Sequence, residues 1–200
     1  MKKTLIVCAD IFPPYQYRLN DGTDIGIDYD AVTGTLRKAG YDVDFRIGLW
    51  DEVSALFESG EADAMFQVQD TPERLEKYFL SDKLRDAVTE VVTVDPALTE
   101  MKSYGELSEI RLGVIAGFAN GEEIDSLPVA CKCPYDDTAA LLKALDAGEI
   151  DAAVCDHGVR CFVSEDSDRF MAIEALTYKR PLFVMFHDRD LRDEFNAAFA

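Results

Sequence analysis

The stretches Gly60-Glu61-Ala62-Asp63-Ala64 and Gly148-Glu149-Ile150-Asp151-Ala152 are two copies of one sequence pattern. A large apolar residue lies three positions before each glycine, and a short apolar run follows each copy. The pattern predicts an amphipathic helix that ends at a glycine with positive φ, followed by a turn into a buried strand. Because the unit occurs twice, it predicts two lobes of similar α/β build. The alternative is chance recurrence of a common α/β motif.

The composition limits the class of protein. A chain of 200 residues with 48% apolar content fills one medium domain or two small lobes. Its 20 basic and 39 acidic residues give a formal charge of −19, which argues against nucleic acid or an anionic membrane as the main partner. No apolar run approaches the roughly 18 residues of a membrane span.

The five cysteines and two histidines show no metal-binding spacing, so we expect no metal site and no cofactor. Cys131 and Cys133 fall on one predicted strand, and Cys155 falls on another strand of the same lobe. A disulfide between these elements is the alternative to buried free thiols, and the state of Cys161 is equally open.

Strand and helix patterns alternate along the chain, which predicts mostly parallel sheets flanked by helices. The predicted strands are 5–9, 41–47, 64–68, 88–94, 110–115, 129–133, 152–155, 170–173 and 182–187. The predicted helices are 27–39, 50–59, one beginning at Thr71, 137–147, 157–163 and 190–198.

Two segments are predicted to cross between the lobes. The β-branched run 88–94 is the first crossing, and the strand after Lys179-Arg180-Pro181 returns to the first lobe. Lobe 1 is therefore predicted to contain residues 1–90 and 181–200, and lobe 2 residues 91–180. A cleft between two such lobes is a favoured place for a small ligand.

These pieces, taken in order, resemble a known family. The chain is similar to the type II periplasmic (extracellular) solute-binding proteins, specifically the family 3 group that includes polar amino-acid receptors. The matching pieces are Phe12-Pro13-Pro14-Tyr15-Gln16-Tyr17, Gly26-Ile27-Asp28-Tyr29-Asp30, Trp50, the two glycine units, Thr71-Pro72-Glu73-Arg74, Phe79-Leu80-Ser81 and Leu112-Gly113-Val114-Ile115-Ala116-Gly117. The resemblance implies the two-lobe type II periplasmic-binding-protein-like fold, with the ligand in the cleft.

The resemblance also implies what the protein does. It implies a periplasmic or extracellular monomer that captures a small carboxylate-bearing ligand for an ABC transporter, without catalytic residues. The apolar run after Met1-Lys2-Lys3 is too short for a signal peptide, so we expect any export signal to be absent from this chain or already removed.

Two charged residues match ligand-binding positions of the family. Arg74 matches the arginine that clamps a ligand carboxylate, a task that suits a guanidinium at a helix start. Its alternative is a surface arginine paired with Glu73 or Asp70. Asp156 matches the acid that receives a ligand ammonium, and its alternative is a helix N-cap. The resemblance predicts that Arg74 and Asp156 bind opposite ends of one ligand.

Other matches complete the predicted site. Asp10 matches a polar position at the end of the first strand. Trp50 and Phe12 match aromatic walls around the ligand side chain, with a plain core role as the alternative. The turn 116–120 leads into a helix, so its backbone N–H groups could also hold an anion.

Several positions depart from the receptor pattern. Phe66, Gln67 and Gln69 stand where receptors usually have small or hydroxyl residues, and Phe118-Ala119 replaces a Ser/Thr pair. Two phenylalanines would shrink the pocket and remove hydroxyl partners for an ammonium group. The departures therefore favour an aromatic or apolar ligand over a standard polar amino acid.

Two other functions remain open at this stage. The same fold serves as the ligand-sensing domain of signalling proteins, in which case a fused signalling domain replaces the permease as partner. Prephenate and arogenate dehydratases also resemble this family. In such an enzyme Arg74 would hold the substrate carboxylate, and Asp156 or His157 would act as general acid.

Overall fold

The computed structural model describes residues 3–117 and 120–200 of the chain. The strands are β1 Thr4–Asp10, β2 Tyr17–Arg18, β3 Asp24–Ile25, β4 Asp42–Gly48, β5 Ala64–Val68, β6 Phe79–Leu80, β7 Arg85–Thr93, β8 Leu112–Ile115, β9 Lys132–Tyr135, β10 Ala152–Asp156, β11 Met171–Ala172 and β12 Tyr178–Phe186. The helices are α1 Ile27–Lys38, α2 Trp50–Glu58, α3 Pro72–Lys77, α4 Glu122–Asp125, α5 Thr138–Asp146, α6 His157–Val163 and α7 Arg189–Phe199. Short 3₁₀ helices lie at Pro96–Glu100, Tyr104–Glu109, Val129–Cys131, Ser167–Arg169 and Glu174–Leu176.

The chain divides into two compact units. Unit 1 contains residues 1–86 and 181–200, and unit 2 contains residues 87–180. Both boundaries fall inside a strand, the first in β7 and the second in β12. The lobe bounds derived from the sequence stay a prediction.

Unit 1 is built on a sheet with the strand order β4-β1-β5-β12, and β6 pairs with β12. β1 runs parallel to β4 and β5, whereas β12 runs antiparallel to β5. The segment of β12 after residue 181 is therefore a strand of unit 1. One apolar cluster packs α1 and α7 against the sheet through Val32, Leu36, Leu191 and Phe195. A second cluster packs α2 through Val53 and Phe57.

Unit 2 repeats this layered build with the strand order β7-β10-β8-β9, and β11 pairs with β7. β8 is parallel to β9 and β10, while β7 is antiparallel to β10. Leu141, Leu142 and Leu145 of α5 belong to one apolar cluster of this unit. Leu107 and Ile124 belong to another. The mixed α/β architecture is confirmed.

The repeated glycine unit folds as predicted in both places. Gly60 and Gly148 follow the last residues of α2 and α5 with φ values of 80° and 70°, in the left-handed region that favours glycine. The Gly60 N–H donates to the Phe57 carbonyl at 2.9 Å, and the Gly148 N–H donates to the Leu145 carbonyl at 3.1 Å. Each helix is therefore closed by a backbone hydrogen bond to the apolar residue three positions earlier.

The aspartate of each copy anchors the neighbouring strand. Asp63 Oδ2 accepts the Ile6 N–H at 2.8 Å, and the Asp63 N–H donates to the Ile6 carbonyl at 2.8 Å. Asp151 Oδ2 accepts the Arg111 N–H at 2.8 Å, and the Asp151 N–H donates to the Arg111 carbonyl at 2.9 Å. Each aspartate thus pairs with both the N–H and the carbonyl of one residue, Ile6 within β1 or Arg111 directly before β8.

Two predicted strands differ from the observed ones. The segment 129–131 is a 3₁₀ turn, so the strand predicted at 129–133 begins only at Lys132. Pro128 precedes this turn, and the Cys131 N–H donates to its carbonyl, which diverts the backbone from an extended path. The strand predicted at 170–173 is reduced to Met171–Ala172. β2 and β3, which are absent from the predicted strands, pair as a short hairpin across Asp21-Gly22.

All five cysteines are free thiols. Cys131 lies in the 3₁₀ turn and Cys133 on β9, so the predicted placement of both on one strand is wrong. Within 3–117 and 120–200, no helix is both long and apolar enough to cross a membrane.

Candidate functional site

Arg74 lies at the start of α3, and the local sequence explains this position. Thr71 is the N-cap, and its Oγ1 accepts the Arg74 N–H at 3.4 Å. Pro72 occupies the first turn, where its fixed φ suits a helix start. The guanidinium then turns back, and Arg74 Nη1 donates to the Gln69 carbonyl at 3.1 Å.

Trp50 begins α2 and contacts this arginine. The Glu52 carboxylate accepts the Leu49 N–H at 3.0 Å, which fixes the start of the helix. Trp50 is 38% exposed, and Arg74 Cζ lies 5.4 Å from its ring centroid. This distance is within the range of a cation–π contact, so the structure brings Trp50 and Arg74 together.

The two side chains line a cavity of about 800 Å³ that belongs entirely to unit 1. Aromatic, thioether, hydroxyl and charged groups share its wall: Trp50, Ser54, Phe57, Glu58, Met65, Thr71, Pro72, Glu73, Arg74, Lys77, Tyr78 and Met185. A cavity of this size and mixed lining is typical of small-molecule sites.

The electrostatics of the cavity centre on Arg74. Partial burial lowers the pKa of its guanidinium, opposed by the charges of Glu73 and Glu58. Glu73 pairs instead with Lys77 Nζ at 2.7 Å. Among the described residues no carboxylate lies within ion-pair distance of Arg74, so the predicted alternative of a pair with Glu73 or Asp70 is not formed. The cavity therefore contains a half-buried cation that forms no ion pair with a described residue.

A second polar cluster of unit 1 is one that the sequence reasoning missed. Asp28 is only 2% exposed, and both of its carboxylate oxygens lie 2.9 Å from Arg85 Nε. Arg85 Cζ lies 3.5 Å from the ring centroid of Tyr15. The only sequence signal was an acidic residue in the first turn of a helix, a position that the helix dipole favours.

Gln67 belongs to this second cluster. Its Nε2 donates to Asp28 Oδ2 at 3.1 Å. Its φ of 64° makes it the one non-glycine residue with positive φ within 3–117 and 120–200. Such backbone conformations persist where surrounding contacts enforce them, and here the bond to a buried carboxylate is one of these contacts.

Asp10 and Phe12 follow the end of β1. Asp10 Oδ1 accepts a hydrogen bond from Gln16 Nε2 at 3.0 Å. Burial raises the pKa of the Asp10 carboxyl, the Gln16 hydrogen bond lowers it, and the charge of Asp28 raises it further. The Phe12 ring stacks on Tyr15, with centroids 5.7 Å apart. Both residues are partly exposed and lie at the carboxyl end of a strand, where open α/β sheets bind ligands.

Phe66 requires a correction. The sequence predicts that Phe66 narrows the ligand pocket, but the side chain is 0% exposed and stacks on Phe45 with centroids 5.7 Å apart. Its neighbours in strand β5 alternate in direction, and the Phe66 side chain points into the core formed with α1 and α7. Gln69, by contrast, is partly exposed and offers its backbone carbonyl to Arg74.

In unit 2, Asp156 is the N-cap of α6. Its Oδ1 accepts the N–H groups of Gly158 at 2.9 Å and Val159 at 3.1 Å. The helix-cap alternative is therefore realised. A carboxylate has acceptor capacity beyond two such bonds, so this role does not exclude another.

The turn before α4 does not fit the expected anion site. The Asn120 N–H already donates to the Asp125 carboxylate, at 3.2 and 3.1 Å to its two oxygens. The short helix that follows carries Glu122, Glu123 and Asp125, whose charges repel an anion. Phe118 and Ala119, the other predicted ligand residues of this turn, lie outside the described residues.

Comparison with known families gives one clear result. A family model described as bacterial extracellular solute-binding proteins, family 3, matches residues 5–200. A comparison with curated protein sequences finds no match.

Solved structures with the same fold bind amino acids, according to their descriptions. One is the arginine-, lysine-, histidine-binding protein ArtJ from Geobacillus stearothermophilus, with a TM-score of 0.74 and 22% identity over 98% of this chain and 88% of that chain. An arginine-bound Gly52Ala mutant of ArgBP from T. maritima has a TM-score of 0.75 and 20% identity over 98% and 94%. The ancestral cationic amino acid solute-binding protein AncCDT-1 has a TM-score of 0.79 and 20% identity over 98% and 88%. Identities at this level establish the two-lobe fold alone.

Proposed function

The chain belongs to the bacterial extracellular solute-binding proteins, family 3, and we propose that it captures an amino acid or a related small carboxylate outside the cytoplasm. The observation that carries this proposal is the half-buried Arg74 guanidinium, which lies in a cavity beside Trp50 and has no carboxylate partner among the residues that the structure describes. We propose that a ligand carboxylate supplies that partner.

The chemistry of Arg74 supports this role. A guanidinium presents two parallel N–H donors that match the two oxygens of a carboxylate. One terminal nitrogen, Nη1, is held by the Gln69 carbonyl, which restricts the rotamer before any ligand arrives. A preorganised donor loses less conformational entropy on binding, so more of the interaction energy contributes to affinity.

Trp50 supports a ligand with a side chain that suits an aromatic face. Such a face accepts either another ring or a cation. Since Phe66 lies in the core, it no longer argues for an aromatic or apolar ligand. The structural relatives described as arginine-binding make a cationic amino acid an equal candidate at this wall.

We propose that the other predicted residues also contribute to ligand binding. Asp10, Phe12 and Gln69 lie partly exposed around the strand ends of unit 1, and Asp156 stays the proposed acceptor for a ligand ammonium. We propose that Gln67 acts indirectly, because its amide is bonded to Asp28.

Titration calorimetry with a defined panel tests the proposal. The panel contains arginine, lysine, histidine, phenylalanine, tyrosine, leucine and glutamate, and the Trp50 fluorescence is recorded in parallel. We expect at least one member to bind, with a shift in emission, because Trp50 is the only tryptophan. Each ligand that binds should also raise the thermal midpoint of unfolding.

The Arg74→Lys variant tests the carboxylate assignment. Loss of the bidentate pair should weaken binding by about tenfold to a hundredfold, the equivalent of one charged hydrogen bond. The matched control is Arg46→Lys, an exposed arginine of the same unit that pairs with Asp44. Equal affinity of the wild type and Arg74→Lys, or failure of the whole panel to bind, contradicts the proposal.

We further propose that the ligand is delivered to an ABC transporter permease and is not chemically converted. The alternative of a sensing domain predicts that ligand binding changes the activity of a fused signalling domain. The dehydratase alternative is checked by incubating the protein with prephenate. We expect the prephenate absorbance to stay constant, and its steady loss would replace the binding role by an enzymatic one.

A further inference from the structure

Helix α6 of unit 2 places a histidine beside a cysteine. His157 and Cys161 are four residues apart, so they lie on one face of the helix. The Cys161 Sγ lies 3.8 Å from His157 Nε2, and both side chains reach the protein surface. An imidazole nitrogen at this distance can take the proton of the thiol.

The other nitrogen of the same ring meets a buried carboxylate. His157 Nδ1 lies 2.9 Å from Glu90 Oε1. Arg160 Nη2 also lies near this nitrogen, at 3.3 Å. Because a carboxylate only accepts, the shorter contact places a hydrogen on Nδ1 and leaves the Nε2 lone pair directed at Cys161.

Glu90 is itself held in place. It lies on β7, is 6% exposed, and accepts from Arg160 Nε at 2.9 Å through Oε2. Arg160 is equally buried at 6% exposure. A thiol, an imidazole and a carboxylate thus follow one another in hydrogen-bonding order, which is the arrangement of an activated nucleophile.

We propose that Cys161 is a site of thiol–disulfide exchange with low-molecular-weight disulfides, that His157 accepts its proton, and that Glu90 is the positioning residue for His157. All three residues belong to unit 2, and none of them lines the cavity that contains Arg74.

The exchange needs no additional oxidant. The proton of Cys161 moves to His157 Nε2, and the thiolate attacks one sulfur of the small disulfide. A new bond forms from Cys161 Sγ to that sulfur while the original S–S bond breaks. The departing sulfur leaves with the electron pair and takes the proton from His157, so the products are a mixed disulfide and a free small thiol.

The other cysteines provide a contrast within the same chain. Burial raises the pKa of the Cys8 and Cys155 thiols to about 12. Cys131 is buried, and Cys133 is partly exposed. Cys161 is the exposed cysteine and the one that faces an imidazole nitrogen at the distance given above, so it should react first.

The test measures mixed-disulfide formation with oxidised glutathione at neutral pH, with peptide mass spectrometry to assign the site. We expect modification at Cys161 at least about tenfold faster than at Cys133, and loss of this fast phase in Cys161→Ser. In His157→Gln the Cys161 rate should fall by about tenfold, because no imidazole then accepts the thiol proton as the sulfur attacks. The matched control is His187→Gln, which removes the other histidine and should leave the rate unchanged.

Two results would overturn the proposal. One is an unchanged Cys161 rate in folded His157→Gln, which would make the contact structural only. The other is a wild-type Cys161 rate no faster than that of reduced glutathione itself with the same disulfide.

The positioning role of Glu90 has its own readout. Nitrogen NMR of the His157 ring should show the hydrogen on Nδ1 in the wild type and a mixture of tautomers in Glu90→Gln. The Cys161 rate in Glu90→Gln, taken relative to Cys133 in the same molecule, should fall in parallel. An unchanged tautomer together with an unchanged rate ratio would remove Glu90 from the proposal.

Discussion

The two copies of the glycine unit share a backbone arrangement but differ in the side chains packed around it. In unit 1, Ala64 and Met65 of β5 pair with Val7 and Cys8 of β1. In unit 2, Ala152 and Ala153 of β10 pair with Leu112 and Gly113 of β8. Cys8 and Gly113 therefore occupy equivalent places, since each lies two residues after the residue that the aspartate of its copy contacts.

The difference at this place shows how one motif supports two cores. Cys8 fills its site, with its Sγ 3.5 Å from the Val53 carbonyl of α2. At Gly113, an added Cβ would lie 2.4 Å from both Leu141 Cδ1 and Ile150 Cδ1. In unit 1 this volume is filled by the side chain of Cys8 on the strand. In unit 2 it is filled by Leu141 of α5 and by Ile150 of the turn after α5. The two copies thus share the backbone arrangement, whereas the side chains packed around it differ between them.

The largest expected effect comes from making the two strands alike. Gly113→Ala should lower the free energy of unfolding by about 3 kcal/mol, near the upper end for overpacking, because Leu141 and Ile150 are both enclosed in the core. Cys8→Ala, the matched change in unit 1, should cost only about 1 kcal/mol because it removes a single buried atom. Urea unfolding of both variants checks this. Equal losses would break the comparison.

The next effect concerns the aspartate anchors. Asp63→Ala should lower the free energy of unfolding by about 2 kcal/mol, since it leaves the partly buried Ile6 N–H without its acceptor. Asp151→Ala should lower it by only about 1 kcal/mol, because the Arg111 N–H is exposed and water can replace the carboxylate. Hydrogen exchange should localise the change to the Ile6 amide in the first variant and to the Arg111 amide in the second. Exchange that accelerates equally at both amides in either variant would show that the copies are not independent.

Substitution of the glycines should have a smaller effect. An added Cβ at Gly60 or Gly148 meets no atom within 4 Å, so only the positive φ opposes an alanine. Gly60→Ala and Gly148→Ala should each cost about 1 kcal/mol in thermal or urea unfolding. The control is Gly34→Ala, in the middle of α1, where no atom lies within 4 Å and alanine should stabilise. If only one of the two alanine variants lost stability, the two helix ends would differ.

The smallest expected effect isolates what Arg111 adds to the second copy. The Arg111 side chain pairs with both carboxylate oxygens of Asp151 and lowers the pKa of that carboxyl, aided by the Arg111 backbone N–H and opposed by partial burial. A depressed pKa in the folded state contributes stability above the unfolded value near 3.8, and this contribution is lost as pH falls through the folded value.

The stability difference between the wild type and Asp151→Asn should therefore shrink as the pH is lowered from 7 to below 4. The change should be modest because the Arg111 side chain is exposed to solvent and the Asp151 side chain is partly exposed. Urea midpoints across this pH range give the measurement. A stability difference that grows on acidification would show that the ionised form of Asp151 does not stabilise the folded state.

Much of the fold followed from local sequence signals. Gly60 and Gly148 marked helix ends because their backbone conformation excludes most other residues, and Thr71-Pro72 marked a helix start for the same kind of reason. These are interactions within a few residues, which a sequence displays directly. Val129 misled because β-branched residues favour strands, but the preceding Pro128 imposed a turn.

The site was less predictable because it depends on contacts between distant residues. The position of Arg74 was predicted, but its contact with Trp50 is a property of the folded unit. Arg85 gave no local signal, since its partner Asp28 is far away in the chain. The side chains of β5 alternate between the two faces of the sheet. Sequence periodicity alone cannot say on which face Phe66 meets the core.

The positions of the unit boundaries within β7 and β12 also predict an order of folding. Unit 2 is one continuous stretch, whereas the sheet of unit 1 is completed by β12, where the Val184 N–H bonds to Ser81 Oγ across a sequence separation of 103 residues. Pairings between distant residues close large loops and form late. A chain synthesised from its N-terminus can therefore complete unit 2 before β12 is available to unit 1. We expect pulsed hydrogen exchange during refolding to protect β8 and β10 before β12. Residues 1–86 would then complete their sheet only after β12 has paired with β5.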